Sequence, residues 1–303
     1  MTGRIGLGRA ALSRVVEVRV QMRTSLFAQT PAEAWPAHSG LLEPAFWDRT
    51  ADEWRIVIQS WVIRVDGLTV LVDTGAGNHR DRPHMPPLHQ LDTDFLAALA
   101  AAGVQPQDVD VVVNTHLHTD HVGWNTRLRD SDAAGGADTA ADRWVPTFPN
   151  ARYLIPEPDY RHFSPDNPEV AEHMRTVFVD SVTPVEPQMQ LFSGDHRISE
   201  SLWLRPAPGH TPGSSALWLD AGAPAVFVGD LTHSPIQLPR PDDACAFDVD
   251  PAAAAVTRKR ILTEAARRRA MVIPAHYPGH GGATVVARGD HFMVDHWLGL
   301  PII

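Results

Sequence analysis

A chain of 303 residues that is 44% hydrophobic is long enough to bury a large core, as one large domain or as two intimately joined halves. Its formal charge of −10 and its dispersed basic residues argue against a nucleic-acid partner. The one cysteine, Cys245, excludes an intrachain disulfide framework and any Cys-rich metal site. The N-terminus "MTGRIGLGRAALSRVVEVRV" carries arginines throughout instead of the unbroken apolar stretch of a secretory signal. No window approaches the length of a membrane span, so a cytoplasmic protein without membrane contact is the expectation.

Residues 1–55 read as an N-terminal extension of a single domain covering 1–303. In "IVIQSWVIR" (56–64) β-branched residues alternate, "VDGL" supplies an Asp66-Gly67 turn, and "TVLVDTGAGN" returns as a second strand, so a hairpin with a glycine-rich exit is predicted. From Asp92, "DTDFLAALAAAGV" reads as a helix with a capping aspartate or threonine at its start and Gly103 at its end. "DVDVVVNTH" is a short, continuously apolar strand of the kind buried on both faces. Residues 129–143 are small, polar and unpatterned, which predicts a surface loop.

Strands resume at "ARYLIP", "LWLRPAP", "SALWLD" and "AVFVGD". "DPAAAAVTRKRILTEAARRRA" follows as a helix with Asp250 as N-cap and Pro251 at its first position. Its basic runs, Arg258-Lys259-Arg260 and Arg267-Arg268-Arg269, are expected on a solvated face. "MVIPAHYPGHGG" is a strand leading into a glycine-rich loop. The recurrence of strands, helix and strand is what two similar α/β halves would produce, with functional residues at strand ends.

The buried strand "VVV" runs directly into His116-x-His118-x-Asp120-His121. Imidazoles and a carboxylate packed into one tight turn suit a borderline divalent cation such as zinc. Four ligands cannot complete two sites, so a metal pair needs further ligands from other strand ends. His210 in "PAPGHTPGS", Asp230 in "AVFVGD" and His276 in "MVIPAH" each stand at the carboxyl end of an apolar run. Taken singly, His210 and Asp230 are ordinary turn residues. Asp73 in "VDTGAGN" either orients a ligating histidine or caps its own turn.

The order HxHxDH, GHTPGS, GD, AH resembles the metallo-β-lactamase superfamily over roughly residues 56–282. That resemblance implies a four-layer αβ/βα sandwich. It implies that His116, His118 and His210 hold a first metal, that Asp120, His121 and His276 hold a second, and that Asp230 bridges them. The ions would be two divalent cations, with zinc expected first and manganese, iron or cobalt as alternatives.

An aspartate at the bridging position resembles glyoxalase II, the acyl-homoserine lactonases and the organophosphate and aryl-ester hydrolases, rather than the true β-lactamases. The expected activity is hydrolysis of a small-molecule lactone or other carboxylic ester through a metal-bridging hydroxide, with Asp120 passing the proton to the leaving group. Phosphotriester hydrolysis at the same site and a non-catalytic metal-binding sensor are the alternatives. His233 stands where the short lactonases have a tyrosine, so it is a second catalytic candidate or an outer hydrogen-bond partner. Trp47, Trp124 and Phe148 are candidates for the pocket wall, and a homodimer is compatible with the sequence.

Overall fold

The computed structural model describes residues 4–129 and 143–300. The chain divides into two compact units. Among the described residues the first comprises 12–18 and 58–193, and the second 4–11, 19–57 and 194–300. All but the two end residues of the polar stretch 129–143 fall outside the described residues.

Seventeen strands are described: β1 (Arg4–Leu7), β2 (Ala10–Arg23), β3 (Trp47–Asp48), β4 (Glu53–Val65), β5 (Leu68–Val72), β6 (Val111–Val113), β7 (Thr126–Leu128), β8 (Trp144–Pro146), β9 (Arg152–Pro156), β10 (Met189–Phe192), β11 (His196–Arg197), β12 (Leu202–Pro206), β13 (Ser215–Asp220), β14 (Pro224–Gly229), β15 (Met271–Pro274), β16 (Ala283–Arg288) and β17 (His291–Trp297). The helices are α1 (Ala34–Ala37), α2 (Ser39–Leu42), α3 (Phe95–Ala101), α4 (Thr119–Val122), α5 (Glu157–Phe163), α6 (Glu172–Ser181) and α7 (Pro251–Arg268). One sheet runs β1-β2-β4-β5-β6-β9-β10 with β3 paired to β4, and a second runs β11 to β17 in chain order. The unit boundary falls within β2 and β4.

The hairpin is formed as the sequence predicts. β4 and β5 pair antiparallel, and Asp66 (φ +52°) and Gly67 (φ +77°) both take the left-handed conformation that a two-residue turn between twisted strands requires. From there the first unit becomes parallel. β5 pairs β6, β6 pairs β9 and β9 pairs β10, all parallel, and such steps need crossovers. α3 lies in the β5–β6 crossover, and α5 and α6 lie between β9 and β10. The core of this unit joins Val62, Leu71, Val112, Tyr153 and Ile155 from the sheet to Phe95 and Leu99 of α3 and Met174, Val177 and Phe178 of α6. Trp124 and Phe148 belong to this core, with Trp124 stacked on Phe95 at 5.2 Å, and they are packing residues first.

In the second unit β12, β13 and β14 form an antiparallel meander, and β14 then pairs parallel to β15 across α7. α7 starts as expected, with Asp250 accepting from Ala253 N at 3.0 Å and Pro251 in its first turn. Ile261, Leu262 and Ala265 of α7 pack on Trp218, Val226, Val228 and Val272. Trp47 is also buried in this unit, its ring 6.1 Å from that of Trp35. Each unit is therefore an αβ pair of layers.

Three sequence expectations need correction. Asp94, at the start of α3, makes no side-chain capping bond, and Thr93 instead turns its hydroxyl to Asn78 Oδ1. Arg258 is not on a solvated face: it is fully buried and donates to the carbonyls of Leu231, Pro241 and Asp243 at 2.7–3.1 Å. A helix one turn deep in a core presents its basic residues inward wherever loop carbonyls need donors, and charge alone does not reveal that. Finally, the N-terminal extension is built into the sheet: β2 is a fourteen-residue strand with Leu12 and Val15 fully buried.

Candidate metal centre

In the first unit β6 ends at Val113, and the chain turns through His116 to His118 into α4. That turn is held by backbone acceptors and donors. The His121 carbonyl accepts from Thr74 N (2.8 Å), Thr74 Oγ1 (3.1 Å) and Asn114 Nδ2 (3.0 Å), and Leu117 N donates to the buried Asp159 carboxylate at 3.1 Å. The His116 ring centroid lies 3.9 Å from that of His121 and 4.8 Å from that of His118, and the His118 ring packs edge-on against Phe163. Asp120 Oδ2 is 3.8 Å from His121 Nε2, and the Asp120 side chain keeps 19% of its exposure. His116 and His121 are almost fully buried.

Asp73 organises this loop. Its carboxylate accepts from Thr115 N (2.8 Å), Thr115 Oγ1 (2.9 Å) and His121 Nδ1 (2.9 Å). Its backbone is left-handed, φ +54°, a conformation that costs a non-glycine residue energy and is retained where surrounding contacts impose it. Of the two roles open in the sequence, orientation of a histidine is the one the bonds describe. A proton on His121 Nδ1 directed to Asp73 leaves Nε2 as the acceptor nitrogen.

In the second unit three strand ends bring His210, Asp230, His233 and His276 together. Asp230 Oδ2 lies 3.3 Å from both His210 Nε2 and His233 Nε2, and Oδ1 lies 3.1 Å from His276 Nε2. Donor atoms of His210, Asp230 and His233 all fall within 4.8 Å of one another, close enough to share an ion. Gly209 (φ +135°) precedes His210, and a Cβ there would run into the backbone of Ala253 and Ala254, so only glycine lets the His210 loop sit against the start of α7.

The outer nitrogens of two of these histidines are tied down. His210 Nδ1 lies 3.0 Å from Asp248 Oδ1, and His276 Nδ1 lies 3.0 Å from the Val57 carbonyl. Both partners accept, so both Nδ1 atoms carry the proton and both Nε2 atoms present lone pairs toward Asp230. Burial holds the His210 ring below the ordinary imidazole range, against the pull of Asp230 and Asp248, which keeps it neutral. Lone pairs therefore face carboxylate oxygens at 3.1–3.3 Å, an arrangement of acceptors that a shared cation satisfies. Neutral imidazoles and carboxylates are the donor chemistry of zinc and its neighbours, so the residues fit a divalent metal.

His233 differs from its neighbours. Burial is the largest effect and pushes its ring down, but the Cys245 thiol and the Asp230 carboxylate together lift it well above the usual value. Its backbone N donates to Gln237 Oε1 at 2.8 Å, and its ring stands edge-on to Trp54. Its Nε2 faces Asp230 Oδ2 at 3.3 Å. Asp248 escaped the sequence reading, and Arg258 was expected in solvent: Arg258 Nη2 is 3.5 Å from Asp248 Oδ2, so the carboxylate behind His210 is braced from the far side. The only linear signal was an aspartate two positions before a predicted N-cap.

Helix-covered sheets with histidines and aspartates gathered at strand ends define a metal-binding α/β protein. The profile of the Metallo-beta-lactamase superfamily matches residues 55–276, and the chain belongs to that superfamily. It is similar to an N-acyl homoserine lactonase of a Bacillus species, 22% identical over 203 residues, which cover 62% of this chain and 69% of the relative. A second N-acyl homoserine lactonase, from Bacillus cereus, is 23% identical over 163 residues, 50% of this chain and about half (53%) of that protein. Among solved structures, the dizinc quorum-quenching lactonase AidC, in complex with its product, superposes with a TM-score of 0.75 at 20% identity, covering 99% of this chain and 97% of that one. The hydrolase AbOPH of the beta-lactamase superfamily gives 0.76 at 20% identity, with 100% and 97% covered. These likenesses establish the fold.

Proposed function

We propose that this metal-dependent hydrolase opens a lactone, or cleaves another small carboxylic ester, at a pair of divalent ions. His116, His118 and His210 hold the first ion, Asp120, His121 and His276 hold the second, and Asp230 bridges them. The observation that carries the reading is the pair of tautomer-fixed nitrogens, His210 Nε2 and His276 Nε2, aimed at opposite oxygens of Asp230. The resemblance to lactonases over more than half the chain supports the substrate class. Zinc is the expected metal.

Divalent ions bound there supply Lewis acidity and bring water toward ionisation near neutral pH. The remaining chemistry belongs to the chain. Asp73, Asp248 and the Val57 carbonyl keep each ligating imidazole neutral and correctly turned. Asp120, the most exposed of the acidic groups, is placed to take the proton that the attacking water gives up and to pass it to the alkoxide oxygen released when the ring opens. His233 holds the bridging carboxylate from the side away from His276 Nε2's oxygen, through Oδ2.

The test is to load metal-free protein with zinc or manganese, verify the metal content, and follow acid release from γ-lactones, aryl esters and phosphotriesters side by side. Lactone or ester turnover that falls at least about 100-fold in Asp120→Asn is the expected result. Preference for the phosphotriester would move the assignment to that substrate class. Full metal occupancy with no hydrolysis of any of the three would make the protein a metal-binding sensor.

A further inference from the structure

Two arginines near α4 are among the most deeply buried side chains of the first unit. Arg80 and Arg82 have side-chain exposures of 0% and 1%, and both pair with the same carboxylate oxygen, Asp180 Oδ1, at 3.2 and 2.7 Å. Two guanidiniums share one carboxylate here, with Glu17 as a second acidic group acting on Arg80. Taking such ions out of water is costly, and well-packed apolar residues fill the same space at least as favourably. The remaining hydrogen bonds show where the group is directed.

Arg80 donates to the carbonyls of Asp180 (2.9 Å), Gly123 (2.5 Å) and Thr126 (2.7 Å), while the Trp144 ring covers its guanidinium at 3.6 Å. Arg82 directs Nε at Thr119 Oγ1, 2.7 Å away, and Nη1 at the Asp81 carbonyl. Thr119 is the first residue of α4 and stands between His118 and Asp120. The arginines therefore grip both ends of α4, at Thr119 and at Gly123.

A helix of four residues has no stability of its own. α4 also lacks a side-chain cap, because its N-cap residue is His118. Its orientation must come from contacts outside it. On the other face, Gly123 N donates to Gly75 O at 2.7 Å, and a Cβ at Gly123 would collide with the Ala76 carbonyl, so the segment has no freedom to slide that way either. Through the Arg82–Thr119 bond this group reaches into the His116–His121 segment itself.

We infer that Arg82, supported by Asp180 and Arg80, is a positioning residue: through the Thr119 hydroxyl it sets the orientation of Asp120 and His121 and thereby the affinity for the ion those two residues hold. The planar guanidinium suits this task because Nε and the Nη atoms have fixed relative directions, so anchoring Nη2 on Asp180 fixes where Nε points. The inference rests on the two-ion reading above.

Isothermal titration of metal-free protein with zinc sulfate separates the possibilities. Wild type should take up two equivalents. Thr119→Val, which keeps the shape and removes the hydroxyl, should weaken one of the two binding steps about tenfold or more while the other stays within about threefold. Thr119→Ser, which restores the hydroxyl, should return the weakened step to near its original value. If Thr119→Val fails to give folded protein, Arg82→Lys carries the same test, since it retains the charge and loses the fixed fork. Two wild-type binding steps in Thr119→Val, whatever its melting temperature, would overturn the inference, as would equal weakening in Thr119→Ser. Fewer than two equivalents in wild type itself would remove the two-ion reading and this inference with it.

Discussion

The two units present the proposed metal-binding side chains in opposite ways. In the first, four of them come from six consecutive residues, His116 to His121; in the second, His210, Asp230 and His276 come from three separate strand ends. A residue at the end of a paired strand inherits the rigidity of its sheet and needs little more than a partner to fix its tautomer: Asp248 for His210, the Val57 carbonyl for His276. A contiguous loop has no such stiffness. It draws its shape from distant buried groups, with Asp73 holding Thr115 and His121, Asp159 holding Leu117, and Arg82 holding Thr119. Compact encoding along the chain demands extensive support in space.

Removing ligands tests the comparison most severely. His118→Ala and Asp230→Ala should each lower lactone or ester turnover by more than about 100-fold, beyond what loss of an outer partner costs, with circular dichroism unchanged. Asp230 lies near three histidines at once, so its variant should also lose more bound metal by elemental analysis than His118→Ala does. Equal metal loss would erase the distinction between a hub and a peripheral ligand.

The next effect is on stability. Arg258→Ala leaves Asp248 buried without its cation and strands three loop carbonyls, and should cost about 3–5 kcal/mol in denaturant unfolding. A loss under about 1 kcal/mol would mean that the second unit's bracing is as dispensable as a surface charge. Asp73→Asn in the first unit should act mainly on metal: about 10–100-fold weaker binding, read by competition with a chelating dye. If Asp73→Asn and Asp248→Asn weaken binding equally, the loop does not depend more heavily on its outer partner than the strand end does.

The smallest effect is a pH dependence. Glu17 of β2 accepts from Ala76 N (2.6 Å), Gly77 N (3.0 Å) and Trp124 Nε1 (2.6 Å), yet burial outweighs these bonds and pushes its pKa up to about 7. A carboxyl whose folded pKa lies above its unfolded value binds protons more readily when folded. Its contribution is fully present below about pH 4.5 and is lost as pH rises through 7. Metal-free Glu17→Gln should therefore show a flatter fall in melting temperature between pH 5 and 8 than wild type does. Parallel curves would show that Glu17 does not titrate in this range.

The hairpin, the capped helix α7, the buried strand before the histidine cluster and the strand-end positions of His210, Asp230 and His276 were all legible in the chain. Each is written in residues close together: alternating β-branched residues, an Asp-Gly turn, an Asp-Pro helix start, a spacing of ligand types. Arg258 was misread because a basic residue on a helix looks the same in sequence whether solvent or loop carbonyls receive it. β2 was missed as a strand of the sheet because arginines and Glu17 interrupt its apolar pattern.

What the sequence determined by itself is the order of the local elements and the strand-end placement of the candidate metal-binding side chains, because periodicity and turn chemistry act over a few residues. Only the tertiary structure decided which ring nitrogen of His121, His210 and His276 is tied to an outer partner and which is left turned inward. Those choices are made by partners 38, 48 and 219 positions away, Asp248, Asp73 and the Val57 carbonyl. A hydrogen bond between such distant residues leaves no mark on the chain, since what selects the tautomer is a distance of about 3 Å that exists only after the sheets have formed.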